Sequence, residues 1–86
     1  MKTKTVTVKC PNGLHLREAA RIVEQSRMLK SRITICRDCR YADGCSILDL
    51  LLLDASEGAE LMVTAEGEDE ERAIKVIAGL MDGAGI

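Results

Sequence analysis

Apolar positions along the chain switch between two periods. From Thr3 to Lys9 they alternate, with Val6 and Val8 on one side and threonines on the other, the pattern of a half-buried strand. At Leu16 the spacing lengthens. Residues 16, 19, 20 and 23 fall on one face of a helix that runs to Met28, while Arg17, Glu18, Arg21, Glu24 and Arg27 face outward. Glu18 with Arg21, and Glu24 with Arg27, stand at the offset of ion pairs on a solvated helix face. Alternation returns from Ser31 to Cys36, carrying Ile33 and Ile35, and a short strand is expected from Cys39 to Ala42 after a tight Arg37-Asp38 turn. Cys39 then occupies a turn position that usually holds glycine at positive φ, an unfavourable place for a cysteine.

Ser46-Ile47-Leu48-Asp49 has the spacing of a capping box and opens a short helix. Ile47, Leu48, Leu50, Leu51, Leu52 and Leu53 are more aliphatics than one buried stripe holds, so some are expected on the surface as a docking patch. After a turn from Asp54 to Gly58, Glu60 to Glu66 sets Leu61, Val63 and Ala65 against Met62, Thr64 and Glu66, a fourth strand. Gly67 interrupts the pattern. Glu68, Asp69, Glu70 and Glu71 suit the positive end of a last helix, whose expected buried stripe is Ala73, Val76, Ile77 and Leu80. The tail from Asp82 to Ile86 is expected to fray. The order βαββαβα predicts one α+β domain over residues 1–86, a two-layer sandwich with a four-stranded antiparallel sheet and three helices on one face.

Composition narrows what such a domain does. Eighty-six residues bury a single core, and with one Tyr and no Phe or Trp that core must be aliphatic. A formal charge of −2 and a pI near 5.3 exclude a broad basic surface for nucleic acid. No apolar run approaches the roughly 20 residues of a membrane span, and no signal-peptide core follows Met1-Lys2-Thr3-Lys4, so a cytoplasmic protein is expected. Cys10, Cys36, Cys39 and Cys45 are then reduced thiols. Cys36-Arg37-Asp38-Cys39 is a C-x-x-C, with Cys45 near enough in sequence to suggest a metal or redox site. A closed zinc site needs four ligands, so ordinary thiols, with no metal and no cofactor, are the preferred reading.

The chain's single histidine, His15, stands where a loop becomes a helix. Pro11, Asn12 and Gly13 are turn residues, and the helical spacing starts at Leu16. A helix N-terminus offers amides without intrahelical partners and the positive end of the dipole, which together stabilise an anion. Arg17, in the first turn, adds a guanidinium suited to phosphate oxygens. The combination points to a histidine that receives a phosphoryl group: a neutral ring nitrogen attacks, and the Leu16 and Arg17 amides with the Arg17 side chain hold the transferred oxygens. The same placement also suits a simple cap or surface histidine.

The segment Asn12-Gly13-Leu14-His15-Leu16-Arg17-Glu18-Ala19-Ala20 resembles the active-site segment of HPr, the histidine-containing phosphocarrier family of the bacterial sugar phosphotransferase system. The similarity continues through Ser46-Ile47-Leu48, Glu57-Gly58-Ala59-Glu60 and Ala65-Glu66-Gly67-Glu68-Asp69-Glu70, spanning nearly the whole chain. The resemblance implies the open-faced sandwich and a monomer that takes a phosphoryl group on His15 from phospho-Enzyme I and passes it to an Enzyme IIA-type domain. Such a protein is a stoichiometric carrier rather than an enzyme. On this reading the apolar patch supplies the partner contacts, at Ile47, Leu48 and Leu51. Ser46 falls where many Gram-positive members carry a serine phosphorylated by an ATP-dependent kinase, which would add a kinase and a phosphatase as partners; as an N-cap it is equally well explained.

Two positions of the histidine motif, and two more on the partner face, depart from the family pattern. Glu18 replaces a proline and Leu16 a small residue, and Glu18, Glu24 and Asp49 reverse charge on a usually basic partner face. Such changes act on encounter rates and partner choice more than on fold. Two alternatives follow: a regulatory module of the same fold acting through the phosphorylation state of His15 or Ser46, and a metal or redox module using Cys36 and Cys39.

Overall fold

The computed structural model describes residues 1–82. Seven elements follow in order: β1 (Lys2–Thr7), α1 (Leu16–Met28), β2 (Arg32–Arg37), β3 (Arg40–Asp43), α2 (Ile47–Leu52), β4 (Glu60–Glu66) and α3 (Glu70–Met81). The strands form one sheet in the order β1-β4-β2-β3, antiparallel throughout. Register is set by side-chain alternation, since a slip of one residue would turn every core side chain to solvent. Val6 faces Leu61, and Ile33 and Ile35 face Ala65 and Val63, so one side of the sheet is continuously apolar. Against it pack Ala19, Ile22 and Val23 of α1, Leu50 of α2, and Ala73, Ile74, Ile77, Ala78 and Met81 of α3, all buried. This is the expected two-layer sandwich, its core aliphatic. Of the tail expected to fray, Asp82 caps α3 and donates its N–H to the Ala78 carbonyl at 3.0 Å, and residues 83–86 lie outside the described residues.

Several local expectations need correction. On α1 the buried residues are Ala19, Ile22, Val23 and Ser26, while Leu16 is 63% exposed and Ala20 is on the surface. At about 100° per residue the stripe through 19, 22, 23 and 26 carries Leu16 and Ala20 to its margin. Leu14, buried in the preceding loop, fills the core at that end instead. Neither Glu18 with Arg21 nor Glu24 with Arg27 is among the ion pairs of the described residues. On α3, Val76 and Leu80 are half-buried at the edges of a stripe centred on Ala73, Ile74, Ile77, Ala78 and Met81.

The hairpin is displaced by one residue from expectation. Arg37 pairs with Arg40, so the turn is Asp38-Cys39, and the positive φ, 55°, belongs to Asp38. Aspartate enters the left-handed region more readily than most residues, so Cys39 carries no such strain. The six-residue α2 is too short to persist alone. It is held by burial of Leu50 and Leu53, and by Ser46, whose hydroxyl accepts the Asp49 N–H at 3.2 Å. The reciprocal half of the capping box is missing. Asp49 Oδ2 accepts instead from the Asp43 N–H at 3.2 Å, bracing the loop into α2.

Asp69 ties the α1–β2 connection to the start of α3. Its carboxylate accepts the Ser31 hydroxyl and, at 2.9 Å, the Lys30 N–H. These bonds, the hydroxyl foremost, hold its pKa below the ordinary carboxylate value. The folded form therefore gains stability from Asp69 that is complete above the unfolded-state pKa of about 4 and is lost as pH falls through the lower folded value. Urea midpoints measured across this acid range are expected to fall less steeply for Asp69→Asn than for wild type. Identical slopes would contradict the assignment.

Candidate functional site

The site is built by the loop between β1 and α1. Its entry is fastened to α3: the Lys9 N–H donates to the Met81 carbonyl at 3.0 Å, and the buried Cys10 thiol lies 3.3 and 3.4 Å from the Leu80 and Met81 carbonyl oxygens. Burial, then the Glu18 and Asp82 carboxylates, push the Cys10 thiol up, which keeps it protonated and structural. The Gly13 N–H donates to the Cys10 carbonyl at 2.9 Å, closing a turn with Pro11 second and Asn12, φ 68°, third. This is the arrangement that favours proline followed by a residue able to take positive φ.

Gly13 has φ 77°, and a side chain there would meet the Ala55 carbonyl oxygen at 2.2 Å and Ser56 Cα at 2.7 Å. The next residue is fixed to the same segment, with the Leu14 N–H donating to the Ala55 carbonyl at 2.9 Å. The loop after α2 thus forms a floor under the start of α1. His15 follows in extended backbone, φ −84° and ψ −177°, as the N-cap of α1, and is exposed. Its N–H donates to Glu18 Oε1 at 3.1 Å and its carbonyl accepts the Ala19 N–H at 2.9 Å. The amides of Leu16 and Arg17 are the first of the helix and have no intrahelical acceptor, and Arg17 is exposed in the same turn.

Beside this turn a cleft of about 370 Å³ is lined by Cys10, Pro11, Asn12, Arg17, Glu18, Arg21 and Leu80. The arrangement can hold an anion at the helix start, with fixed amides and a guanidinium and with little reorganisation. Reading the sequence singled out His15, Leu16 and Arg17 and their order, and the structure brings them together. It did not find the part played by the Ala55–Ser56 segment, because that contact is made by backbone atoms distant in sequence and leaves only the presence of Gly13 as a trace.

Ser46 is the half-buried cap of α2. Of the residues expected to form a docking patch, Leu48 is 63% exposed, whereas Ile47 and Leu51 are half-buried against the core. Leu52, 64% exposed and one turn beyond Leu48, completes the apolar surface of this helix. Their four-residue spacing was the signal available for Leu52. Helix α2 packs on α1, whose first residue, Leu16, is exposed as well.

Cys36 lies on β2, Cys39 in the hairpin turn and Cys45 before α2, all as free thiols. The Cys36 thiol donates to the Asp38 carbonyl at 3.1 Å. Among the described residues no three His, Cys, Asp or Glu side chains come close enough to hold a metal ion. No helix among them is long and apolar enough to cross a membrane.

Comparison with known proteins gives a consistent result. Residues 2–82 match the family described as the PTS HPr component phosphorylation site, PTS being the phosphotransferase system. The phosphocarrier protein HPr of Borreliella burgdorferi is 39% identical over 82 residues, covering 95% of each chain. That of Treponema pallidum is 36% identical, covering 93% of this chain and 91% of its own. The crystal structure of HPr-C-His from Thermoanaerobacter tengcongensis matches with a TM-score of 0.91 at 34% identity, covering 99% of this chain and 96% of that one. With residues 2–82 matched and the sandwich shared, this chain belongs to the HPr family, the phosphocarrier proteins of the phosphotransferase system.

Proposed function

We propose that His15 is the phosphoryl acceptor, charged by phospho-Enzyme I and discharged to an Enzyme IIA-type domain. The observation that carries this reading is the exposed N-cap histidine standing directly before two helix amides without acceptors, with Arg17 in the same turn. A neutral ring nitrogen attacks phosphorus, the N–P bond forms as the donor's bond to phosphorus breaks, and the bonding pair leaves with the donor atom. The Leu16 and Arg17 amides, the helix dipole and the Arg17 guanidinium take up the charge on the transferred oxygens. The group ends on the chain itself, so the protein acts as a stoichiometric carrier and not as a catalyst.

Glu18 modifies this scheme. Its bond to the His15 N–H strengthens the helix start, yet it also sets a carboxylate beside the phosphoryl position. The repulsion costs about 1 kcal/mol in screened surroundings, enough to lower transfer potential without abolishing it. Leu48, with the half-buried Ile47 and Leu51, supplies the apolar part of the partner contact. The protein works as a cytoplasmic monomer, without cofactor.

The relay is tested by mixing phosphorylated protein with an Enzyme IIA-type domain from the same organism. Transfer of the label to that domain is expected, and faster than to a domain matched to a basic partner face, because Glu18, Glu24 and Asp49 alter the charge that the partner meets. Retention of the label with every Enzyme IIA-type domain of that organism would contradict the relay.

A further inference from the structure

Arg21 is the one charged residue lining the cleft beside the His15 turn that the phosphoryl chemistry of His15 leaves without a task. It lines the cleft of about 370 Å³ together with Arg17 and Glu18, and Glu18 Oε1 in turn lies 3.1 Å from the His15 N–H. The cleft therefore opens beside the backbone of the acceptor. Spacing along α1 accounts for the grouping, since residues three and four apart share a helix face. The carboxylate that sequence spacing would assign to Arg21 is turned back to the N-cap amide, and among the described residues no ion pair includes Arg21. On its other side Arg21 borders a second cleft with Glu24 and Gln25 of α1 and Lys75 of α3, so the charged and titratable groups around it are Arg17, Glu18, Glu24, Lys75 and, across the first cleft, the Cys10 thiol with the Asp82 carboxylate that acts on it. A phosphoryl group at His15 would add two negative charges to a site that already holds the Glu18 carboxylate, and Arg17 alone does not balance them.

We propose that Arg21 is a second cation of the phosphoryl site, a positioning residue that holds the phosphoryl group together with Arg17 and offsets the charge of Glu18. This rests on His15 being the acceptor. Arg21 makes and breaks no bond; it stabilises the dianionic phosphoryl group on the ring and the charge that gathers on its oxygens during transfer.

The test uses the isolated phosphorylated protein, so that no partner contributes. Followed by ³¹P NMR, the titration midpoint of the phosphoryl group is expected to rise by about 0.5 pH unit in Arg21→Ala, because removing a cation disfavours the dianion, and to stay at the wild-type position in Arg21→Lys. The rate of phosphorylation by the donor is expected to fall about fivefold in Arg21→Ala and to rise about fivefold in Glu18→Gln. The double variant should return near wild type, as opposite charges cancel. Arg21 is exposed, so Arg21→Ala and Arg21→Lys should keep the wild-type circular dichroism and melting curve. A midpoint unmoved by Arg21→Ala overturns the proposal whether or not the rate falls, since a rate effect alone would belong to partner contact. A wild-type protein that takes no phosphate overturns the acceptor assignment and this proposal with it, a result distinct from a phosphorylated protein indifferent to Arg21.

Discussion

Gly13→Ala is expected to destabilise the protein by about 3 kcal/mol and to lower its melting temperature by about 15 °C. Two costs add. The backbone at Gly13 has φ 77°, a conformation that costs an alanine on the order of 1 kcal/mol more than a glycine. The new methyl would also sit 2.2 Å from the Ala55 carbonyl oxygen and 2.7 Å from Ser56 Cα, both backbone atoms that cannot turn aside like a side chain. Relieving that overlap means pulling the His15 loop off the segment after α2, which breaks the Leu14–Ala55 hydrogen bond and disturbs the burial of Leu14. Displacing the loop also moves the N-cap. Phosphorylation of the folded fraction should therefore slow by at least about tenfold, because orientation at the reacting atom is lost. Thermal unfolding with phosphorylation rates measured well below the transition separates the two effects. A variant with wild-type stability would show that the Ala55–Ser56 segment does not support the loop.

The same residue illustrates what the sequence could convey. Strand β4 was legible to its ends because Leu61, Val63 and Ala65 alternate without exception and each is buried in the sheet. The N-terminus of α1 was legible because Pro11, Asn12, Gly13 and His15 are turn and cap residues preceding a helical spacing, and Glu18 returns to the cap as the capping-box spacing requires. Rotation of that helix was not legible. Apolar residues at Leu16 and Ala20 extend the stripe on one side and Ile22 on the other, and only the sheet decides which side is buried; it chose Ile22. The hairpin was displaced by one residue because a four-residue strand has too few alternations to define its own register, leaving the choice of left-handed residue between neighbours. Asp49 had the spacing to complete a capping box at Ser46 and was claimed instead by the Asp43 amide, a choice made by the path of the β3–α2 loop. At the candidate site, the place of His15, Leu16 and Arg17 at a loop-to-helix junction was legible because turn and cap residues mark that junction. The cleft was not, since Leu80 and Cys10 reach it from opposite ends of the chain.

The largest effect expected is the loss of phosphoryl acceptance in His15→Ala. The chain has no second histidine, so no other imidazole can take the group. The surrounding donors stay in place when the ring is removed: the Leu16 and Arg17 amides belong to the helix backbone, and the Glu18 carboxylate still reaches the amide of residue 15. Stability should change little, by less than about 1 kcal/mol, because the His15 side chain is exposed. The variant thus separates chemistry from folding. Donors at a helix start can gather a phosphate near the chain without a nucleophile, but the N–P bond of the proposed carrier needs the ring nitrogen.

The most direct measurement is the intact mass of wild type and His15→Ala after incubation with phosphoenolpyruvate and Enzyme I from the same organism. Wild type is predicted to gain one acid-labile phosphoryl group while His15→Ala, with an unchanged melting curve, gains none. An unmodified wild type beside an active Enzyme I, or equal labelling of the two proteins, would contradict His15 as the acceptor.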